Sequence, residues 1–362
     1  MIDLPGINHN SRLRDVRQAM SEHSIENFLT IDGVSLRWLS GFTGSAGKLL
    51  IGGSSNHLLT DGRYADQASR EISGTDIELF VGDGKQQKEF IAARMRSSKT
   101  LTLEADRITW GAVGELKEEV EADVLPSNGL ISDLRQIKDP AEVARIEAAA
   151  SIADNALAQL LPNLSEQPTE LEFARALDTA MLDLGAEALS FETICASGPN
   201  AAAPHARPSS RVIRARDLVV IDFGAVIDGY HSDMTRTYIV GDTDQSSWDM
   251  VNSVTEAQER GCEVVGPGVK ACDVDEACRS HLSNRGLGEY FVHGTGHGVG
   301  LEIHEAPWIN GKSSEVLEES HVVTVEPGVY LPGVGGVRVE DTVLITSSGF
   351  RRLTSAPKDS IV

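Results

Sequence analysis

The sequence predicts an α/β domain over residues 1–136 followed by an α+β domain over residues 137–362. Three observations lead there. Short apolar runs alternate with helical periodicity as far as Glu104, the pattern of a layered α/β domain. An alanine-rich helix over 141–161 then follows a polar join, Asp133-Leu-Arg-Gln-Ile-Lys-Asp-Pro-Ala-Glu142, whose proline suits a helix start. Beyond it, two β-branched hairpins ending in carboxylates flank a glycine-rich histidine loop.

In order, residues 11–26 read as a helix and 27–31 as a strand. Residues 36–47 are turn-rich, with strands over 48–51 and 57–60 around them. Asp61 is placed to cap a helix opening at 61–68. A strand over 77–80, a helix over 86–96 and a strand over 100–104 continue the alternation. In the second half, 170–184 is a further helix. The chain shows no sequence repeat and no low-complexity segment.

The first hairpin starts with Leu218-Val-Val-Ile-Asp-Phe-Gly224, a buried strand with Asp222 near its end, where a charge needs a partner. Asp228-Gly229 is a hairpin-turn signal, and residues 230–240 return as a strand. The midpoint of Asp222 and Asp233 falls close to this turn, so a hairpin of that register would bring these carboxylates near each other across the pair. The second hairpin repeats the device. Residues 322–326 form a strand ending in Glu326, and 336–345 a strand with Arg338 and Glu340 on one face. Between the hairpins lies His293-Gly-Thr-Gly-His297-Gly-Val-Gly300, too glycine-rich for an ordinary helix. Carboxylates held close repel, so one must protonate or find a counter-charge. Asp222, Asp233, Glu326 and Glu340 carry four negative charges, which two divalent cations beside a neutral His297 would balance. Any one acid alone reads as a surface or salt-bridged residue; the set, in this order, reads as a metal site.

That order, with Glu326 in Val325-Glu-Pro-Gly328 and Glu340 in Arg338-Val-Glu-Asp341, resembles the metallopeptidase family with the pita-bread fold. The family holds methionine aminopeptidase, prolidase and aminopeptidase P. His297-Gly-Val-Gly-Leu-Glu-Ile-His304-Glu-Ala-Pro307 and Val325-Glu-Pro-Gly-Val-Tyr-Leu331 resemble its proline-specific branch. Gly41-Phe-Thr-Gly-Ser-Ala-Gly47 and Thr60-Asp-Gly-Arg-Tyr64 resemble the creatinase-like amino-terminal domain that short methionine aminopeptidases lack. The resemblance covers nearly the whole chain. It implies a creatinase-like α/β domain over 1–136 and an α+β pita-bread catalytic domain over 137–362.

The resemblance also implies roles. Asp222 chelates one metal, Asp233 and Glu340 bridge both, and His297 and Glu326 bind the second. The donor set is hard, so Mn²⁺ is the first expectation, with Co²⁺ or Zn²⁺ as alternatives. Two such cations activate water and stabilise developing negative charge. Glu326 doubles as general acid/base. His205 and His304 match histidines that hydrogen-bond the substrate carbonyl or scissile group. Arg338 orients a substrate carboxylate or pairs with a neighbouring acid; both readings stand. His231 and His293 read as packing residues or supports of the site, and Asp341 as structural. Tyr330 and Trp308 line a pocket or belong to the core. The implied assembly is a homodimer, with Trp38 and the loop to Gly47 either closing the partner's pocket or packed in their own core.

Composition narrows the partners. A formal charge of −22 argues against binding nucleic-acid phosphates and offers no attraction to a membrane surface. No run approaches the roughly 20 apolar residues of a membrane span. The start, Met1-Ile-Asp-Leu-Pro-Gly-Ile-Asn8, has neither the basic nor the apolar region of a signal peptide. Cys195, Cys262, Cys272 and Cys278 match no zinc knuckle and no C-x-x-C pair. A cytoplasmic protein with reduced thiols is expected.

Within the resemblance two activities compete. Prolidase cuts Xaa-Pro dipeptides and must receive the free proline carboxylate, for which arginine is the natural receptor. Related prolidases often carry that arginine just after H-E-x-P; here Trp308 follows Pro307. The expectation is therefore an Xaa-Pro aminopeptidase acting on peptides with proline second, with prolidase as the alternative. A metal-free creatinase-like hydrolase and a non-catalytic binding module are remote, because all five ligand types are present.

Overall fold

The computed structural model describes residues 3–53, 55–358, 361 and 362; Met1 and Ile2, the head of the start read above, lie outside these. The chain divides into two compact units, one over residues 7–135 and one formed by the rest.

The amino-terminal unit runs α1 (His9–Glu22), β1 (Phe28–Thr30), α2 (Gly33–Ser40), β2 (Gly47–Ile51), β3 (Asn56–Thr60), α3 (Ala65–Glu71), β4 (Glu78–Val81), α4 (Gly84–Met95), β5 (Thr100–Glu104), α5 (Trp110–Glu119), β6 (Asp123–Ser127) and α6 (Leu130–Gln136). Its six strands lie in the order β4-β3-β2-β1-β5-β6. Leu29, Leu50, Leu59, Leu101 and Leu103 of the sheet meet Ile91 and Met95 of α4 in one core.

Two readings are corrected here and one alternative is decided. Residues 36–40, within the segment read as turn-rich, belong to a helix over 33–40. Asp32 caps this helix by accepting from the Ser35 amide, and Gly41 ends it at φ 75°. A helix of two turns is too short for its periodicity to stand out. Asp61 is not a cap: it accepts from the Arg63 amide and guanidinium, and α3 begins behind Tyr64 with no side-chain cap. Trp38 is 4 % exposed and covered by the Arg12 guanidinium, so its core reading is the one the structure bears out.

The second unit opens with α7 (Pro140–Leu160) and α8 (Glu170–Asp183). Both start at capping boxes, Asp139 with Glu142 and Thr169 with Glu172. There follow β7 (Ala188–Leu189), β8 (Ile194–Ser197), β9 (Leu218–Phe223), β10 (Ala225–Ile227), β11 (Tyr230–His231) and β12 (Met234–Ile239). Next come α9 (Gln245–Val264), α10 (Ala271–Asn284), β13 (Gly296–Gly298) and β14 (Glu305–Ile309). The unit ends with β15 (Val322–Val325), β16 (Gly328–Leu331), β17 (Gly335–Arg338), β18 (Asp341–Thr346) and β19 (Gly349–Arg352). The strands form sheets β12-β9-β8, β11-β10-β7, β14-β13-β15-β18-β19 and the pair β16-β17. Helices α7 and α8 pack on the first of these, and α9 and α10 on the five-stranded sheet.

The long return strands of both hairpins are interrupted. The chain leaves one sheet for another at Ser232–Asp233 and again at Val339–Glu340. Glu326 likewise stands between β15 and β16, which belong to different sheets. Such switch points expose a side chain sideways from both layers, where a site can form. The first hairpin is offset from the expected register, with Thr235 rather than Asp233 opposite Asp222. Its turn is as expected, with Asp228 and Gly229 both at positive φ. The second hairpin keeps its expected register, Val325 opposite Asp341 and Gly328 opposite Arg338. Among the described residues, no helix is long and apolar enough to cross a membrane, and the four cysteines are free thiols.

Candidate metal centre and active site

The acids arrive from four directions. Asp222 is the next-to-last residue of β9, Asp233 precedes β12, Glu326 follows β15 and Glu340 precedes β18. One ligand atom each of Asp233, His297 and Glu340 lies within 4.8 Å of the others, and all three residues are buried. His297 Nε2 is 3.5 Å from Asp233 Oδ2 and 3.4 Å from Glu326 Oε1. Asp222 and Glu326 open onto the same cavity.

His297 is aimed by its neighbours. Its Nδ1 lies 3.0 Å from the Gly298 carbonyl, which only accepts, so the ring proton sits on Nδ1. The Nε2 lone pair then faces Asp233 and Glu326. The glycines beside it are required by packing. A Cβ on Gly296 would run into the Thr324 carbonyl, and one on Gly298 into the Ala306 carbonyl.

The donors fit divalent cations. Asp222 Oδ1 and Glu340 Oε1 are buried with no hydrogen-bond partner among the described residues, which is costly for a carboxylate unless a cation takes the lone pairs. Burial pushes the Asp233 and Glu340 carboxyls well above the ordinary range, and the charges of neighbouring acids add to it. Burial also raises Glu326 and lowers His297. Without a counter-charge this cluster would have to take up protons.

Arg338 is committed to the protein. Its Nη2 donates to Asp222 Oδ2 at 2.6 Å, its Nη1 to Tyr330 Oη at 2.6 Å and its Nε to Thr235 Oγ1 at 3.0 Å. Burial opposes its charge, but Tyr330, Asp222 and Glu326 keep it protonated. Of its two readings, the structure shows the ion pair with an acid. Thr235 Oγ1 in turn donates to Glu340 Oε2 at 2.7 Å. Tyr330 is buried, and its hydroxyl lies 2.9 Å from His293 Nε2.

A cavity of about 780 Å³ takes in the cluster together with His205, His293, His304 and Trp308. The His304 ring meets the His297 ring edge-on at 4.4 Å. Trp308 is 46 % exposed, so it belongs to the pocket wall rather than the core. His231 does not line the cavity. Asp341 is structural: Arg236, Arg352 and Lys358 all pair with it.

Sequence reasoning missed Glu170. It is fully buried in the first turn of α8 and accepts from Ser197, Asn200 and Ser209, at the two ends of the loop that carries His205. A fully buried acid in a helix start is masked in sequence by the capping preference for acids there. Glu170→Ala would strand these donors and is expected to cost about 3 kcal/mol. Urea unfolding should show it as a lower midpoint, with Glu170→Gln losing less; an unchanged midpoint would mean the loop is held by other contacts.

The profile of metallopeptidase family M24 matches residues 144–347, and that of the creatinase/prolidase N-terminal domain matches residues 12–137. The chain belongs to metallopeptidase family M24. It is 36 % identical to an Xaa-Pro dipeptidase of Pyrococcus horikoshii over 97 % of this chain and 99 % of that one. Among solved structures it resembles an Xaa-Pro dipeptidase from Bacillus anthracis, at 38 % identity and a TM-score of 0.93, covering 98 % and 100 % of the two chains. It also resembles an X-Pro aminopeptidase from Thermotoga maritima, at 33 % identity and a TM-score of 0.88, covering 97 % and 99 %. The M24 chain therefore joins a creatinase-type amino-terminal domain to a pita-bread catalytic domain and is a hydrolase of the Xaa-Pro peptidase group. Membership implies divalent cations, in keeping with the buried donor set.

Proposed function

We propose that the protein is an Xaa-Pro aminopeptidase that uses two divalent cations, Mn²⁺ first, to cut the bond between the first residue and a proline in second place. Domains over 1–136 and 137–362 in a cytoplasmic homodimer are part of this reading, and light scattering showing only monomer would count against the dimer. Asp222 would hold one cation, Asp233 and Glu340 both, and His297 and Glu326 the second. The observation that carries the proposal is the pair of orphaned buried oxygens, Asp222 Oδ1 and Glu340 Oε1, beside the Asp233–His297–Glu340 cluster.

Bound cations would supply Lewis acidity and lower the pKa of water. The chain supplies the rest. Glu326, held at Oε1 by Thr324 Oγ1 at 3.4 Å, takes a proton from water and returns it to the leaving nitrogen. His205 and His304, on the cavity wall, donate to the carbonyl oxygen and steady the leaving group. Arg338 fixes the Asp222 carboxylate and excludes it from general-base work.

The dipeptidase reading is the alternative, favoured by the names of the Pyrococcus and Bacillus relatives. The experiment for the metal reading is reconstitution of the chelator-stripped chain with Mn²⁺, Co²⁺ or Zn²⁺, with Ala-Pro-Ala hydrolysis followed by chromatography. Restoration at two equivalents supports it; full activity in the stripped protein would reject it.

A further inference from the structure

The cavity has two guanidinium groups among its described lining residues, Arg338 and Arg207. They differ in every respect that matters for a ligand. Arg338 is buried and spends its donors on Asp222, Tyr330, Thr235 and the Pro204 carbonyl. Arg207 stands at the rim with its side chain 82 % exposed, and its ion-pair partner is Glu192, 67 % exposed, at 3.2 Å. Exposed pairs of this kind contribute about 0.2–1 kcal/mol, so exchanging Glu192 for another carboxylate costs little.

The placement is defined despite the exposure. Arg207 sits between His205 and Ser209, in the loop that the buried Glu170 carboxylate holds through Asn200 and Ser209. His205 and Arg207 line the same cavity. At about 780 Å³ the cavity lies in the upper part of the range for small-ligand pockets and has room past the scissile bond. The electrostatics call for a cation there. The interior carries four carboxylates and Arg338 is consumed by one of them, so a substrate's carboxylate meets no available positive side chain deeper than the rim.

We propose that Arg207 receives the C-terminal carboxylate of short peptides, which makes free-acid tripeptides of the form Xaa-Pro-Yaa the preferred substrate class. This rests on the Xaa-Pro peptidase reading above. Glu192 is the competitor that occupies Arg207 between turnovers.

The test uses the metal-loaded full chain and compares Ala-Pro-Ala with Ala-Pro-Ala amide. The free acid should be favoured about threefold to fivefold in kcat/KM, carried mainly by KM, the size of an ion pair to an exposed guanidinium. Arg207→Ala should bring that ratio close to one, and Arg207→Lys should keep part of it. Glu192→Gln should raise the ratio about twofold, because the competitor is gone. A wild-type ratio near one overturns the assignment, as does a preference for the acid that survives Arg207→Ala. Ala-Ala-Ala cut as fast as Ala-Pro-Ala would reject the proline reading while the acid-to-amide ratio still tests Arg207. Absence of cleavage of every Xaa-Pro peptide would remove both.

Discussion

Replacing Asp233 or Glu340 with alanine should abolish hydrolysis and bring bound metal below two equivalents. Both carboxylates are buried, and both are pushed towards protonation by burial and by the acids around them. Losing outer support of a metal site costs about 10–100-fold, so losing a shared ligand should cost at least about 10³-fold. The fold should survive, because each substitution removes one of several mutually repelling buried charges. The stripped variants should therefore melt no lower than the stripped wild type. That separates loss of the site from loss of structure. Mass spectrometry of bound metal beside kcat/KM reads the result; two metals and wild-type turnover in either variant would sink the bridging assignment. His293 is the internal control. Its Nε2 faces the Tyr330 hydroxyl at 2.9 Å rather than the acid cluster. His293→Ala should lose about 10–100-fold in activity and keep its metal, whereas His297→Ala should lose metal. Equal metal losses would erase the distinction between the two histidines.

The acids of the site were legible because each ends or interrupts an apolar run, where an unpaired charge stands out. The second hairpin was placed in the right register because its turn, Leu331 to Gly336, is bounded by glycine and proline. The first was offset, because its two-residue turn centres between Asp228 and Gly229, one position beyond the midpoint of Asp222 and Asp233, and a one-position shift of the turn moves the facing residue by two. Arg338 was left open. Two residues before Glu340 in sequence, it could serve a ligand or an acid, and only the fold brings Asp222 to 2.6 Å. Glu170 and Arg207 were illegible for a different reason. A buried anchor and a rim cation both look like surface charges until the loop between them is closed.

Proline selectivity is the second large effect. Proline fixes its own φ and has no amide hydrogen to donate, so a site for it must accept a ring and stabilise the leaving nitrogen without that donor. His205 and His304 stand on the cavity wall beside the acid cluster, and Trp308, directly after Pro307, offers an apolar face to the same cavity. Ala-Pro-Ala should therefore be cut at least about 100-fold faster than Ala-Ala-Ala in kcat/KM, the scale a shaped pocket achieves. N-acetylation should block cleavage, because in the proposed reading the free amino terminus is the group that the cation site would hold. Ala-Pro should be cut more slowly than Ala-Pro-Ala. Its carboxylate would lie deeper than Arg207, and the nearer guanidinium, Arg338, is held by Asp222, Tyr330 and Thr235. Chromatography of timed digests of the four peptides decides the matter. Equal or faster cleavage of Ala-Pro would make the enzyme a dipeptidase, as the Pyrococcus and Bacillus relatives are named. Equal cleavage of Ala-Ala-Ala would remove proline from the specificity altogether.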